Sequence, residues 1–183
     1  MGRSDGRDYK SLRWRHPDDR QHFHPGAPAG CDCIKGGRDH CLGRSRGGLK
    51  TKIHALVDAQ GLPIRLHLSA GQAHDAPAAH QLLNRLSPRT ILLGDKAYDA
   101  DAIRSLIEDQ GAVPNIPPKS TRKWKACFSK ALYRERNLIE RFFNKLKHFR
   151  RIATRYDKLA ENFLAMVQLA SMRLWLRAYE STS

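Results

Sequence analysis

From Leu49 onward the chain carries a legible rhythm of apolar and polar positions, and the first 41 residues carry no sustained one. Thr51-Lys52-Ile53-His54-Ala55-Leu56-Val57 reads as a strand, and Leu62-Pro63-Ile64-Arg65-Leu66-His67-Leu68 alternates apolar with polar side chains. Asp58-Ala59-Gln60-Gly61 between them has turn composition, which predicts an antiparallel hairpin with Pro63 at the start or edge of its second strand. After Gly71, Asp75 is placed to cap a helix that carries Pro77 in its first turn and ends near Leu86. Thr90-Ile91-Leu92-Leu93-Gly94 has buried-strand character and stops at Asp95. A second helix, capped by Asp99, closes near Gly111. Ala112–Ile116 can add a short strand, and Pro117-Pro118 opens a basic loop, Lys119–Lys130, around Trp124. Helices over about 133–150 and 157–178 complete a mixed α/β order.

Residues 1–41 are rich in Arg, Asp, His, Gly and Pro and show no apolar period, so they are expected to be poorly ordered, a linker or unrelated sequence. Gly43-Arg44-Ser45-Arg46-Gly47-Gly48 reads as a flexible basic loop. The expected domain is 42–178, with 179–183 as a tail.

Charge changes the picture more than length does. The 183 residues hold 33 Lys+Arg against 18 Asp+Glu, a formal net charge of +15. Such an excess repels itself in a compact fold and suits a polyanion, nucleic acid above all, with an anionic membrane surface as the other reading. No apolar run is long enough to span a membrane and no secretory leader is visible, so a cytoplasmic, nucleoid-associated protein is expected. Cys31, Cys33, Cys41 and Cys127 are read as free thiols. The one-residue gap between Cys31 and Cys33 argues against a structural zinc site with His40 and Cys41.

Two carboxylates stand out as candidate chemistry. Asp95 closes an apolar strand, a place where α/β sheets bind ligands and where aspartate also sits for purely structural reasons. In the helix beginning near Tyr133, the residues Tyr133, Arg136, Glu140 and Lys147 fall within roughly 60° of arc at ~100° per residue, and Asn144 joins them. Ile139, Phe142, Leu146 and Phe149 form a separate, core-facing side. Such a helix can hold a cation at Glu140 with phosphate-binding groups around it, or present an ordinary surface ion pair.

The spacing Tyr-x2-Arg-x3-Glu-x6-Lys, met by Tyr133, Arg136, Glu140 and Lys147, resembles the signature of bacterial insertion-sequence DDE transposases. The stretches Glu135–Lys147, Arg150–Lys158, Gly43–Gly48, Gly71–Asp75 and Asp95–Asp99 resemble the same family, with Ala97 at a usual glycine. The likeness runs from about Leu42 to Arg177. It implies an RNase H-like mixed sheet flanked by helices, with Asp95 and Glu140 as the second and third metal-binding acids. It also implies Mg²⁺ or Mn²⁺ in a two-metal site if the acid set is complete, and transposon-end and target DNA as partners, with a homodimer forming on DNA. Arg150, Arg151 and Arg155 extend the cationic side and are expected to contact phosphates with Tyr133, Arg136, Asn144 and Lys147.

The family's first aspartate should end an apolar strand upstream of the hairpin. Asp18, Asp19, Asp32 and Asp39 lack that strand pattern. The sequence therefore predicts a missing central strand, an exposed sheet edge, and marginal stability or association with a partner encoded upstream. On that expectation, whether the isolated chain is an enzyme stays open, and a catalytically incomplete DNA-binding remnant is the alternative. His74 and Tyr98 are expected to be structural, while Trp124 suits either a stacked base or a core edge.

Overall fold

A computed structural model describes residues 9–15, 41–45 and 48–181. The strands are β1 (Tyr9–Arg15), β2 (Gly43–Ser45), β3 (Gly48–Val57), β4 (Pro63–Ala70), β5 (Ile91–Gly94) and β6 (Val113–Asn115). The helices are α1 (Asp75–Leu83), α2 (Asp101–Glu108), α3 (Lys130–Arg134), α4 (Asn137–Lys147), α5 (Arg150–Ala153) and α6 (Ala160–Glu180), with a 3₁₀ turn over Lys96–Tyr98.

The predicted hairpin forms, with Ile53 opposite Leu68 and Val57 opposite Pro63. Its turn is fixed by Asp58, whose Oδ1 accepts from the N–H groups of Gln60 at 2.9 Å and Leu62 at 2.8 Å, while Gly61 takes φ +78°. Pro63 opens β4, an edge strand, where a missing N–H costs no ladder bond. Along β3, Ile53, Ala55 and Val57 face a core shared with Phe142, Leu146, Phe163 and Val167 of α4 and α6. Leu56 faces a second core built on Leu82, Leu92, Ile103 and Ile107. Period-two alternation thus places helices on both faces of one sheet.

The N-terminal strand expected to be missing is present. β1 lies between β3 and β5, antiparallel to the first and parallel to the second, and β6 extends the parallel side. The long strands run in the order β4-β3-β1-β5-β6, with β3 alone opposing the others, which is the RNase H-like arrangement. The edge of β3 is therefore paired, and the ground for expecting marginal stability from an open edge is removed. Tyr9-Lys10-Ser11-Leu12-Arg13-Trp14-Arg15 escaped prediction because its polar/apolar alternation, Ser11 to Arg15, is short and sits in a segment otherwise rich in charge, Gly and Pro.

Other local expectations are corrected. The Gly43–Gly48 segment is no open loop: Ser45 pairs with Gly48 and Gly43 with Lys50. His74, not Asp75, occupies the N-cap position of α1, and Ala100, not Asp99, that of α2. The single helix expected over 133–150 is three pieces. At its first joint the bonds tighten to i→i+3, from Leu138 N–H to Glu135 O at 3.0 Å and from Ile139 N–H to Arg136 O at 3.2 Å. Phe143 is buried in α4, whereas Phe149 is only partly buried at the N-cap position of α5. The tail drawn at 179 begins inside α6, which continues to Glu180.

Candidate active site

Asp95 follows β5 directly, and its carboxylate caps the 3₁₀ turn by accepting from Lys96 N–H at 2.6 Å. Gly94 is needed just before it, since a Cβ there would stand 2.8 Å from the Ile116 side chain. Glu140 lies in the first turn of α4, whose opposite side is anchored in the core by Ile139, Phe142, Phe143 and Leu146. Arg136 joins the two acids. Its Nη2 donates to Glu140 Oε1 at 3.0 Å, and its Nη1 is 3.7 Å from Asp95 Oδ2. The side chains of Asp95 and Glu140 are 34% and 33% exposed, so the pair is open to solvent from one side. The guanidinium lies 5.1 Å from the centroid of the Tyr133 ring, and Nη1 is buried without a hydrogen bond.

Asn144 and Lys147 are exposed on α4, and Arg150 and Arg151 are exposed on α5. Arg155 behaves differently. It donates to Thr51 Oγ1, to Asp157 O at 2.8 Å and to Lys158 O at 3.0 Å, and it stacks 4.9 Å from the Phe163 centroid. These contacts brace the approach to α6 against β3.

Behind Asp95 lies a polar network that sequence reasoning missed. His54 is buried with Nε2 2.7 Å from Ser69 Oγ and Nδ1 3.2 Å from Tyr98 OH. Burial, reinforced by His67 and then Lys52, lowers the His54 pKa to about 3, so the ring is neutral. Burial, with Asp75 and Asp95 nearby, pushes the Tyr98 phenol well above its usual value. Lys52 Nζ is 2.9 Å from Asp75 Oδ1 and donates to Ala73 O at 2.8 Å. Asp99 is wholly enclosed. It accepts from Arg104 at 2.9 Å, Arg122 at 2.8 Å and Lys119 N–H at 2.7 Å. Burial alone would raise its carboxyl, but those donors hold it below its ordinary value. The tether fixes the basic loop carrying Trp124, which is 73% exposed and covers no core edge.

Asp95 and Glu140 supply hard oxygen donors of the kind a divalent ion of the Mg²⁺ class takes, with water completing the shell. Among the described residues no cluster of three or more His, Cys, Asp or Glu side chains could hold a metal, so a two-ion set is not assembled there. β1 reaches the right place, with Leu12 opposite Gly94, yet its sequence contains no carboxylate. Asp18, Asp19, Asp32 and Asp39, like Cys31, Cys33 and His40, lie outside the described residues; the Cys41 thiol is 3.8 Å from Leu68 O, and Cys127 is an exposed free thiol.

The transposase DDE domain family matches residues 8–175, a span that opens beside β1 and closes within α6. The chain belongs to that family. It is 42% identical over 130 residues to the transposase ascribed to insertion sequence element IS6501 of Brucella ovis, covering 70% of this chain and all of that one. To the transposase ascribed to IS402 of Burkholderia cepacia it is 27% identical over 137 residues, which is 69% of this chain and 62% of that one. Two solved assemblies of the Mos1 transposase, a paired-end complex with the left transposon end and a strand transfer complex, share 16% identity with it. They cover 77% and 82% of this chain and 54% and 55% of theirs, at TM-scores of 0.35 and 0.34. The family places the chain in DNA transposition and implies divalent-metal chemistry. Among the described residues no helix is long and apolar enough to cross a membrane.

Proposed function

We propose that this chain carries out the phosphodiester chemistry of insertion-sequence transposition, cutting DNA at the element's ends and joining the freed 3′-hydroxyl to target DNA. The observation that supports this reading is the single guanidinium of Arg136, in ion-pair range of both Asp95 and Glu140. Residues that far apart in sequence reach one cation only where the fold brings β5 and α4 together. Asp95 and Glu140 would hold Mg²⁺ or Mn²⁺, which when bound supplies charge stabilisation at the attacking and leaving oxygens.

The chain's own residues do the rest. Arg136, freed from the carboxylates, neutralises a phosphate beside them, with the Tyr133 ring limiting where it can go. Asn144 and Lys147 continue that side of α4, and the exposed Arg150 and Arg151 hold backbone phosphates further along. Arg155 serves chiefly as a brace, given its intramolecular bonds. A homodimer on DNA is supported by α6, which exposes Leu169, Met172, Leu176 and Tyr179 along one stripe. The setting is cytoplasmic and nucleoid-associated.

A second reading is favoured by the absence of a carboxylate from the β1 sequence. On that reading the chain is a catalytically incomplete DNA-binding remnant, or works only with an upstream fragment that brings the first aspartate. One assay separates the two. A duplex carrying the element's end, incubated with the full chain and Mg²⁺ or Mn²⁺, should be nicked, and a pre-cut end should be joined to a second duplex. Both reactions should vanish in Asp95→Asn and Glu140→Gln while DNA binding persists. Binding without nicking under any divalent ion would establish the remnant reading instead.

A further inference from the structure

The C-terminal ends of α4 and α6 enclose a cleft of about 650 Å³ that the catalytic reading does not use. Lys145, His148, Arg173 and Arg177 stand around it, over an apolar floor that includes Phe149 and Leu174, and no carboxylate of the described residues lines it. We infer that this cleft is a second DNA-backbone anchor, binding phosphates without regard to sequence and separate from the Asp95/Glu140 face. The inference rests on the chain acting on DNA, and on nothing about its catalysis.

Cations near helix C-termini have an ordinary explanation, since they complement the macrodipole within the last turn. That accounts for Lys145 and Arg177, which occupy the last turns of α4 and α6. It does not account for Arg173, a full turn further in, nor for the convergence of four basic side chains on one concavity. Like charges held around a low-dielectric floor repel one another and focus a positive potential, an arrangement relieved by an anion. The floor matters too. A sugar-phosphate backbone presents an apolar sugar face between charged phosphates, matching Phe149 and Leu174 beneath a cationic rim. The cleft is also displaced from Glu140, around and along α4. At ~100° per residue, Lys145 is turned about 140° and His148 about 80° around α4 from Glu140, and they lie ~8–12 Å further along its axis. A backbone held there belongs to DNA flanking the reacting phosphate.

The test is the salt dependence of duplex binding by the full chain, followed by fluorescence anisotropy in EDTA so that no metal chemistry contributes. Each phosphate contact adds about 0.9 to the slope of log K against log salt. The triple variant Lys145→Gln/Arg173→Gln/Arg177→Gln should lower the slope by ~2–3 and weaken binding on the order of 10²-fold near 0.1 M salt, equally for element-end and random duplexes. The charge-retaining Arg173→Lys/Arg177→Lys variant should keep the slope, and Asp95→Asn should keep it while losing cleavage. An unchanged slope in a triple variant with wild-type circular dichroism would overturn the anchor. So would equal weakening by the lysine variant, or displacement of the duplex by millimolar inorganic phosphate at constant ionic strength, which marks a small-anion site. Failure of cleavage in the wild type would overturn the catalytic reading alone, because the slope is measured without metal.

Discussion

Asp95 and Asp99 stand four positions apart in one short motif, and the fold treats them in opposite ways. Asp95 is a third exposed, with a capping bond to its neighbour's N–H and a long contact to Arg136. Asp99 has no exposed surface and is bonded to two guanidinium groups and a backbone N–H. An acid whose donors are already committed cannot offer its oxygens to a metal or a water. An acid at a strand end, loosely held and open on one side, can. The contrast separates a committed carboxylate from an open one by what surrounds each, although local sequence presents them alike.

Breaking this contrast should show most in stability. Asp99→Ala leaves Arg104 buried beside Ile116 O without its carboxylate, which should cost about 3–5 kcal/mol in urea unfolding and loosen the Arg122 loop to proteolysis. Acid titration should show an effect of comparable size. The folded state keeps His54 neutral down to about pH 3, while an unfolded histidine takes its proton near 6.5. The unfolded state therefore binds the extra proton through that window, and stability should fall as pH drops, by ~1.4 kcal/mol per unit. His54→Gln should flatten that slope. Asp99, depressed in the fold, adds a further loss below its unfolded value of about 4. Asp95→Asn should shift stability by about 1 kcal/mol or less while abolishing cleavage, the reverse of Asp99→Ala. Trp124→Ala should be smallest on stability, within about 0.5 kcal/mol, because its ring covers no core.

What the sequence revealed follows the range of the forces involved. The β3–β4 hairpin, Pro63 at its edge, the Leu92-Leu93 strand and the core side of α4 all depend on local period and turn chemistry, and each is present. The convergence of Asp95 on the Glu140 helix was expected from family likeness, since no local pattern encodes a contact between β5 and α4. Long-range pairing defeated the reading elsewhere. β1 offers only a short alternation, Ser11 to Arg15, and takes its place from β3 and β5 on either side. Asp99 looked like a helix cap because its partners, Arg104, Lys119 and Arg122, meet it only in three dimensions. The neutral His54 went unread: it lies inside an apolar strand, and its partner Tyr98 meets it only in three dimensions.

The shared ion site is best tested by titrating the full chain with Mn²⁺ and following the free ion by electron paramagnetic resonance. The account predicts one site, weakened at least tenfold by Asp95→Asn or Glu140→Gln and further by the double variant. Two independent sites, each lost with only one of the carboxylates, would contradict it, as would affinity indifferent to both substitutions.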